Sequence, residues 1–179
     1  MEIKYRIQLP ELVNKLNLPS IGVEIGVAEG FSSKDFLENG LQTLYSVDAW
    51  QTLNQKGDGG YEQEWHDKNF SDAKERLNKF QERSIIIKGL SQDVAANFDD
   101  ESVGFLYIDG DHSYEGVKRD LEAWYPKVVK GGVIGFHDYL NDAYGVNRFV
   151  NEFCDRLGIK PVTIPENSVV DAGAYFIKP

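Results

Sequence analysis

The chain has one cysteine and no apolar run long enough to cross a membrane. Cys154 cannot form an internal disulfide, and the opening stretch MEIKYRIQLPELV lacks the apolar core of a signal peptide or membrane span, so a reducing, cytoplasmic setting is expected. Basic residues are also scarce. Nineteen Lys and Arg against 29 Asp and Glu leave a net charge of −10, the wrong sign for a nucleic acid backbone or an anionic membrane as main partner. A small or cationic ligand suits this balance better. Repeats, low-complexity tracts and linkers are absent too, which predicts one domain over 1–179. Core-forming residues are plentiful: 41% of the 179 residues are hydrophobic and 12% aromatic, enough for a packed core without disulfide staples.

Short apolar runs alternate with amphipathic segments. The runs are IGVEIG (21–26), TLYSVDA (43–49), SIIIKG (84–89), VGFLYID (103–109), GVIGFHD (132–138), KPVTIP (160–165) and GAYFIKP (173–179). Helical spacing appears over 31–39, 70–82, 113–125 and 145–157. This alternation predicts an α/β fold, a doubly wound, mostly parallel Rossmann-like sheet of six or seven strands, with an antiparallel edge formed by the last two runs. The segment 51–69, QTLNQKGDGGYEQEWHDKN, fits no element and is expected to be a loop or lid. Ligands of such sheets bind beyond the carboxyl ends of the strands, and the polar residues of this chain gather at those ends.

The first strand ends in VEIGVAEGFSS. Gly26 and Gly30 open the strand-to-helix turn to close approach of a ligand. The middle glycine of a dinucleotide fingerprint is missing, and Glu24 adds a carboxylate, which repels a pyrophosphate and attracts a cation. Asp48 closes the next strand, where an acid can accept hydrogen bonds from both ribose hydroxyls. The two features together suit a ribose with a positively charged neighbour. Their structural alternatives are a plain turn and a helix cap.

VEIGVAEGFSS followed by LYSVDAW resembles the first two motifs of the class I methyltransferases that use S-adenosylmethionine. The resemblance implies that Glu24, Gly26 and Gly30 line the methionine and ribose side, that Asp48 holds the ribose, and that Trp50 packs near the adenine. KGLSQDV is similar to the adenine border of that family, which points to Ser91 and then Gln92. The likeness continues through LYIDGDHSYEGVKRDLEAWYPKVVKGGVIGFHDY, which resembles the small-molecule O-methyltransferase branch with its D-G-D-H-S-Y motif. It implies an S-adenosylmethionine-dependent methyltransferase acting on a small-molecule hydroxyl, with Mg²⁺ or another divalent metal as a candidate cofactor.

In FLYIDGDHSYEGV an apolar strand ends in Asp109, Gly110, Asp111 and His112. A hydroxyl must lose its proton before attacking a methyl group, and a divalent ion lowers that cost by stabilising the oxyanion. Asp109 and Asp138, at neighbouring strand tips, are the expected ligands, with His137 as a candidate third; Asp109 also borders the cofactor. The resemblance implies a second acid or an amide in the pair where this chain has His137-Asp138 or Asp138-Tyr139, and a histidine in the set biases the site toward a transition metal. Asp111, His112 and His137 are the candidates for the general base, and the sequence does not choose among them. Asp111 has a bland alternative as cap of the helix starting at Ser113. His66 reads as a solvent-facing loop residue, Gly131 and Gly132 as a helix end and turn, Leu121, Trp124 and Val128 as core, and Arg148 as partner of a neighbouring acid. Acceptor specificity is expected from 51–69, 139–147 and a partner subunit such as that of a homodimer. Two rivals stand beside the methyltransferase reading: a nucleotide-dependent oxidoreductase, and a non-catalytic protein that binds S-adenosylmethionine or a nucleoside.

Overall fold

The computed structural model describes residues 1–52, 62–166 and 172–179. Its sheet has seven strands: β1 (Ile21–Ile25), β2 (Thr43–Asp48), β3 (Ser84–Lys88), β4 (Val103–Ile108), β5 (Val128–Phe136), β6 (Val162–Ile164) and β7 (Gly173–Ile177). Their order is β3-β2-β1-β4-β5-β7-β6. The first five are parallel, and β7 lies antiparallel between β5 and β6, which gives the expected antiparallel edge.

Every residue of β4 is buried, because helices cover both of its faces and each alternate side chain meets a separate core. On one side Phe105 and Tyr107 join Leu9 and Val13 of α1 (Leu9–Lys15), Phe36 of α2 (Phe31–Glu38) and Leu77 of α3 (Gln63–Leu77). On the other, Leu106 and Ile108 meet Val94 of α4 (Ser91–Ala95), Leu121 and Trp124 of α5 (Tyr114–Trp124), and Phe149 and Cys154 of α6 (Val146–Leu157). Leu121, Trp124 and Val128 are core residues, as their spacing predicts.

Three local expectations are corrected. The segment 51–69 is not a loop throughout: α3 begins at Gln63, and 53–61 lie outside the described residues. Only Asn69, Ala73 and Leu77 of α3 are buried, so its first two turns carry no apolar period, although Glu, Gln and Lys are good helix formers. Helix α1 is an addition, short, with Pro10 in its first turn and Leu9 and Val13 four residues apart on its buried face. Gly131 and Gly132 do not end a helix. They lie inside β5, where pairing with β4 jumps from Val103–Val128 to Phe105–Val133; Gly131 takes φ +80° in this bulge.

The order of strands reverses between β1 and β4. There the Asp109 amide donates to the Ile25 carbonyl at 2.8 Å, and a Cβ on Gly26, which sits at φ +80°, would overlap the Asp109 carbonyl. The crevice expected at a switch in strand order therefore opens directly above Gly26 and Asp109.

Phe36 packs edge-on against both Phe105 and Tyr107, at centroid distances of 5.1 and 5.0 Å. Phe36→Ala is expected to cost about 3–5 kcal/mol in a denaturant titration; a loss below about 1 kcal/mol would refute this packing.

Candidate active site

The turn after β1 is held by the strand beside it. Gly26 and Gly30 both adopt positive φ, and the Asp48 carboxylate at the end of β2 accepts the amides of Val27 (2.8 Å), Ala28 (3.0 Å) and Trp50 (2.7 Å). One acid thus ties two strand tips together while still facing the crevice. Trp50 is almost fully buried; its indole donates to the Ala28 carbonyl at 3.0 Å and packs on Phe70. Glu24 lies under the turn, where its carboxylate accepts from the Ser33 hydroxyl, itself 2.8 Å from the Ser46 hydroxyl. Burial drives the Glu24 carboxyl well above the usual range, and a cationic neighbour would favour its charged form.

Ser91 opens α4 and accepts the Trp124 indole N–H at 2.9 Å, while its hydroxyl bonds to Asp120. Asp120 is a cavity residue that the sequence reading missed. It is a 3% exposed carboxyl on α5, and burial, only partly opposed by Ser91, raises its pKa from 3.8 to about 6. An acid between Val117, Leu121 and Trp124, on an otherwise apolar helix face, was the available signal.

At the tips of β4 and β5 four side chains converge. His112 Nε2 lies 3.2 Å from Asp109 Oδ1 and 3.3 Å from Asp138 Oδ2, and His137 Nδ1 lies 3.4 and 3.0 Å from the same two oxygens. His137 is mostly buried; burial opposes its charge, yet the Asp138 and Asp109 carboxylates raise its pKa above the ordinary value. Asp138 adopts φ +51°. His112 stacks on Tyr144, with centroids 4.8 Å apart.

Asp111 faces the same crevice. Its Oδ1 accepts the Ser113 amide at 2.9 Å, and Arg119 lies 3.4 Å from Oδ2. The helix cap itself is Ser113, whose hydroxyl accepts the Gly116 amide, so Asp111 braces the capping residue and α5 starts at Tyr114.

These residues surround a cavity of about 510 Å³, within the usual range for small-molecule sites. Gly26, Asp48, Trp50 and Ser91 line it together with Asp109, Asp111 and His112, Gly26 and Asp109 lying in direct contact. Gly30, His137 and Asp138 are not on its wall: Gly30 begins α2, and the other two join through Asp109 and His112. His66 is corrected: it lies half-buried on α3 and lines the cavity beside Trp65. Arg148 pairs with Glu152 at 3.0 Å. The wall carries Glu24, Glu29, Asp48, Asp109, Asp111 and Asp120 against the single guanidinium of Arg119, a balance that favours a cationic ligand.

Comparison with known proteins fits this geometry. A family model described as a methyltransferase domain matches residues 23–139. An uncharacterized protein of Sinorhizobium fredii, y4gI, is 30% identical over 121 residues, 65% of this chain, and the chain spans 13% of that protein's length. Among solved structures, the O-methyltransferase NovP superposes with a TM-score of 0.70 at 21% identity, over 96% of this chain and 77% of that one. An O-methyltransferase from Bacillus cereus in complex with SAH gives 0.64 at 14% identity, over 98% and 82%. At these identities the structural likenesses establish the fold.

The displaced Asp120 pKa predicts a pH signature. Between pH about 4 and 6 the folded state keeps the proton that the unfolded chain releases, so this group's contribution to stability falls as pH rises through that window. Asp120→Asn is expected to remove that fall. Relative to wild type, the variant should gain up to about 3 kcal/mol between pH 4 and 7 in urea unfolding; parallel curves would refute the displacement.

Proposed function

The chain belongs to the methyltransferase domain family, and from that premise we propose that it transfers a methyl group from S-adenosylmethionine to a hydroxyl oxygen of a small molecule, assisted by a divalent metal. The observation that carries this reading is the continuous acid-lined cavity running from the glycine turn and Asp48 to the Asp109–His112 tip. S-adenosylmethionine, when bound, supplies an electrophilic methyl group on a sulfonium whose positive charge suits that wall. The SAH complex of the Bacillus cereus neighbour supports the choice of cofactor.

Gly26 leaves room for close approach, and Asp48 Oδ1, which takes only the Trp50 amide while Oδ2 takes those of Val27 and Ala28, retains a lone pair for a ribose hydroxyl. Ser91 and Asp120 offer polar atoms to a purine edge, beside the buried ring of Trp50. At the other end, Asp109, His137 and Asp138 fit a metal, because two carboxylates converge there and His137 Nδ1 is buried without a hydrogen-bond partner. A divalent ion held there would supply stabilisation of the acceptor oxyanion. Asp111, fixed by the Ser113 amide and Arg119, takes the hydroxyl proton as the acceptor oxygen is aligned with the methyl group, so catalysis rests on positioning and deprotonation. Trp65 and the turn after Asp138 border the acceptor side. The net charge supports a small molecule over a nucleic acid, and we extend the reading to residues 1–179 forming one methyltransferase domain that works in the cytoplasm. The missing middle glycine and the acidic wall weigh against a dinucleotide oxidoreductase.

Two experiments test this. Calorimetric titration of ligand-free protein with S-adenosylhomocysteine should show micromolar binding that Asp48→Ala weakens at least tenfold, roughly the value of a hydrogen bond to a charged group; folded wild-type protein that does not bind overturns the reading. With an acceptor found by screening hydroxylated compounds against methyl-labelled cofactor, Asp111→Asn should lower kcat by about 10²–10⁴-fold. An unchanged rate would remove Asp111 as the base, and binding with no turnover on any acceptor would favour the non-catalytic alternative.

A further inference from the structure

The cluster at the β4 and β5 tips contains more than two carboxylates and the His137 ring. One donor atom from each of Asp109, His112, His137 and Asp138 lies within 4.8 Å of the other three. The four alternate around a ring, imidazole next to carboxylate, with neighbouring donors 3.0 to 3.4 Å apart. Donors sharing one ion at bonds of about 2.1 Å stand roughly 3.0 Å apart at right angles and roughly 3.4 Å apart at the tetrahedral angle. The observed separations fall in that interval.

The unmet donor atom of His137 is the second observation. Its buried Nδ1 is within 3.4 Å of two carboxylate oxygens yet has hydrogen-bond geometry to neither, as fits donors whose separations are edges of a coordination polyhedron; of the other contacts in the ring, His112 Nε2 to Asp109 Oδ1 at 3.2 Å also has hydrogen-bond geometry. His112 comes from a different strand tip, and its ring is held against Tyr144 with Nε2 facing both acids.

We propose that His112 is a metal ligand and that, with His137, it makes this tip a two-histidine, two-carboxylate centre for a transition metal such as Zn²⁺, Fe²⁺ or Co²⁺ rather than a Mg²⁺ site. Imidazole nitrogens suit these ions, whereas Mg²⁺ prefers oxygen donors and retains water. The inference rests on the reading of this tip as the reaction centre. It has a consequence there: both histidines are engaged through their facing nitrogens, which leaves Asp111 as the proton acceptor.

The test uses the full chain stripped by a chelator, titrated with Co²⁺ and separately with Mg²⁺, following heat and visible absorption. Co²⁺ should bind one per chain, at least about a hundredfold more tightly than Mg²⁺. His112→Ala and His112→Gln, checked for folding by circular dichroism, should each weaken Co²⁺ at least about tenfold, the lower bound seen even for groups that only support a ligand. They should also change the cobalt absorption while leaving Mg²⁺ affinity within about threefold. Comparable affinities for the two ions, or folded His112 variants with wild-type cobalt affinity and spectrum, would overturn the proposal. S-adenosylhomocysteine titration of the same preparation separates the two ideas: its failure overturns the methyltransferase reading and leaves the cobalt result standing.

Discussion

The whole site depends on how closely β1 and β4 approach at their carboxyl ends. The Asp109 amide bonds to the Ile25 carbonyl, and the space a side chain would need at Gly26 is filled by the Asp109 backbone. This contact brings the glycine turn within reach of the acid cluster at the β4 and β5 tips. It lies where the order of strands reverses, so the helices following β1 and β4 leave on opposite faces of the sheet and the crevice between them stays open. The two cores on either side of β4 fix the distance. Packing far from the chemistry thereby sets its geometry.

Charge is arranged along that crevice by depth. Glu24 and Asp120 are buried, and desolvation raises the pKa of both carboxyl groups, so a ligand that brings a donor or a positive charge would favour the ionised form of each. Asp48 has its oxygens on three backbone amides. The strand-tip acids face imidazoles instead. A cavity with six carboxyl groups and one guanidinium can remain folded because these groups are compensated by different means, by neutral protonation, by backbone donors and by histidines.

The sheet was legible from the sequence because its strands appear as seven short apolar runs, the central β4 being buried on both faces. The acids were legible for the same reason, since Asp48, Asp109 and Asp138 each interrupt or follow such a run. Other features depended on contacts that no local pattern carries. His112 meets Asp138 across two strands that are adjacent in the sheet but about thirty residues apart in sequence. Asp120 occupies a helical face whose other members are core residues, so periodicity alone assigned that face to packing. The start of α3 is solvated and has no apolar period, and the bulge at Gly131 is set by pairing with β4. Gly131 and Gly132 were read as punctuation between elements because two adjacent glycines usually are.

Backbone strain gathers at the same tips. Of the non-glycine residues with positive φ, Ala28 follows β1, Trp50 follows β2 and Asp138 follows β5, each in a conformation that costs of order 1 kcal/mol or more unless its surroundings impose it. For the first two the imposing group is Asp48, which takes the amides of Val27, Ala28 and Trp50, while the Trp50 indole returns a bond to the Ala28 carbonyl. The acid that faces the ligand is thus also the brace of the turn, and its two duties oppose each other: each lone pair given to the backbone is withheld from the ligand. Among the described residues the Asp138 carboxylate has no such brace and faces His112 and His137. The β1–β2 end is therefore preorganised by the chain itself, whereas the β4–β5 end carries closely spaced acids whose repulsion an additional cation would relieve. A ligand at the first end gains affinity from rigidity already built in, and a cation at the second adds to the stability of the fold as it binds.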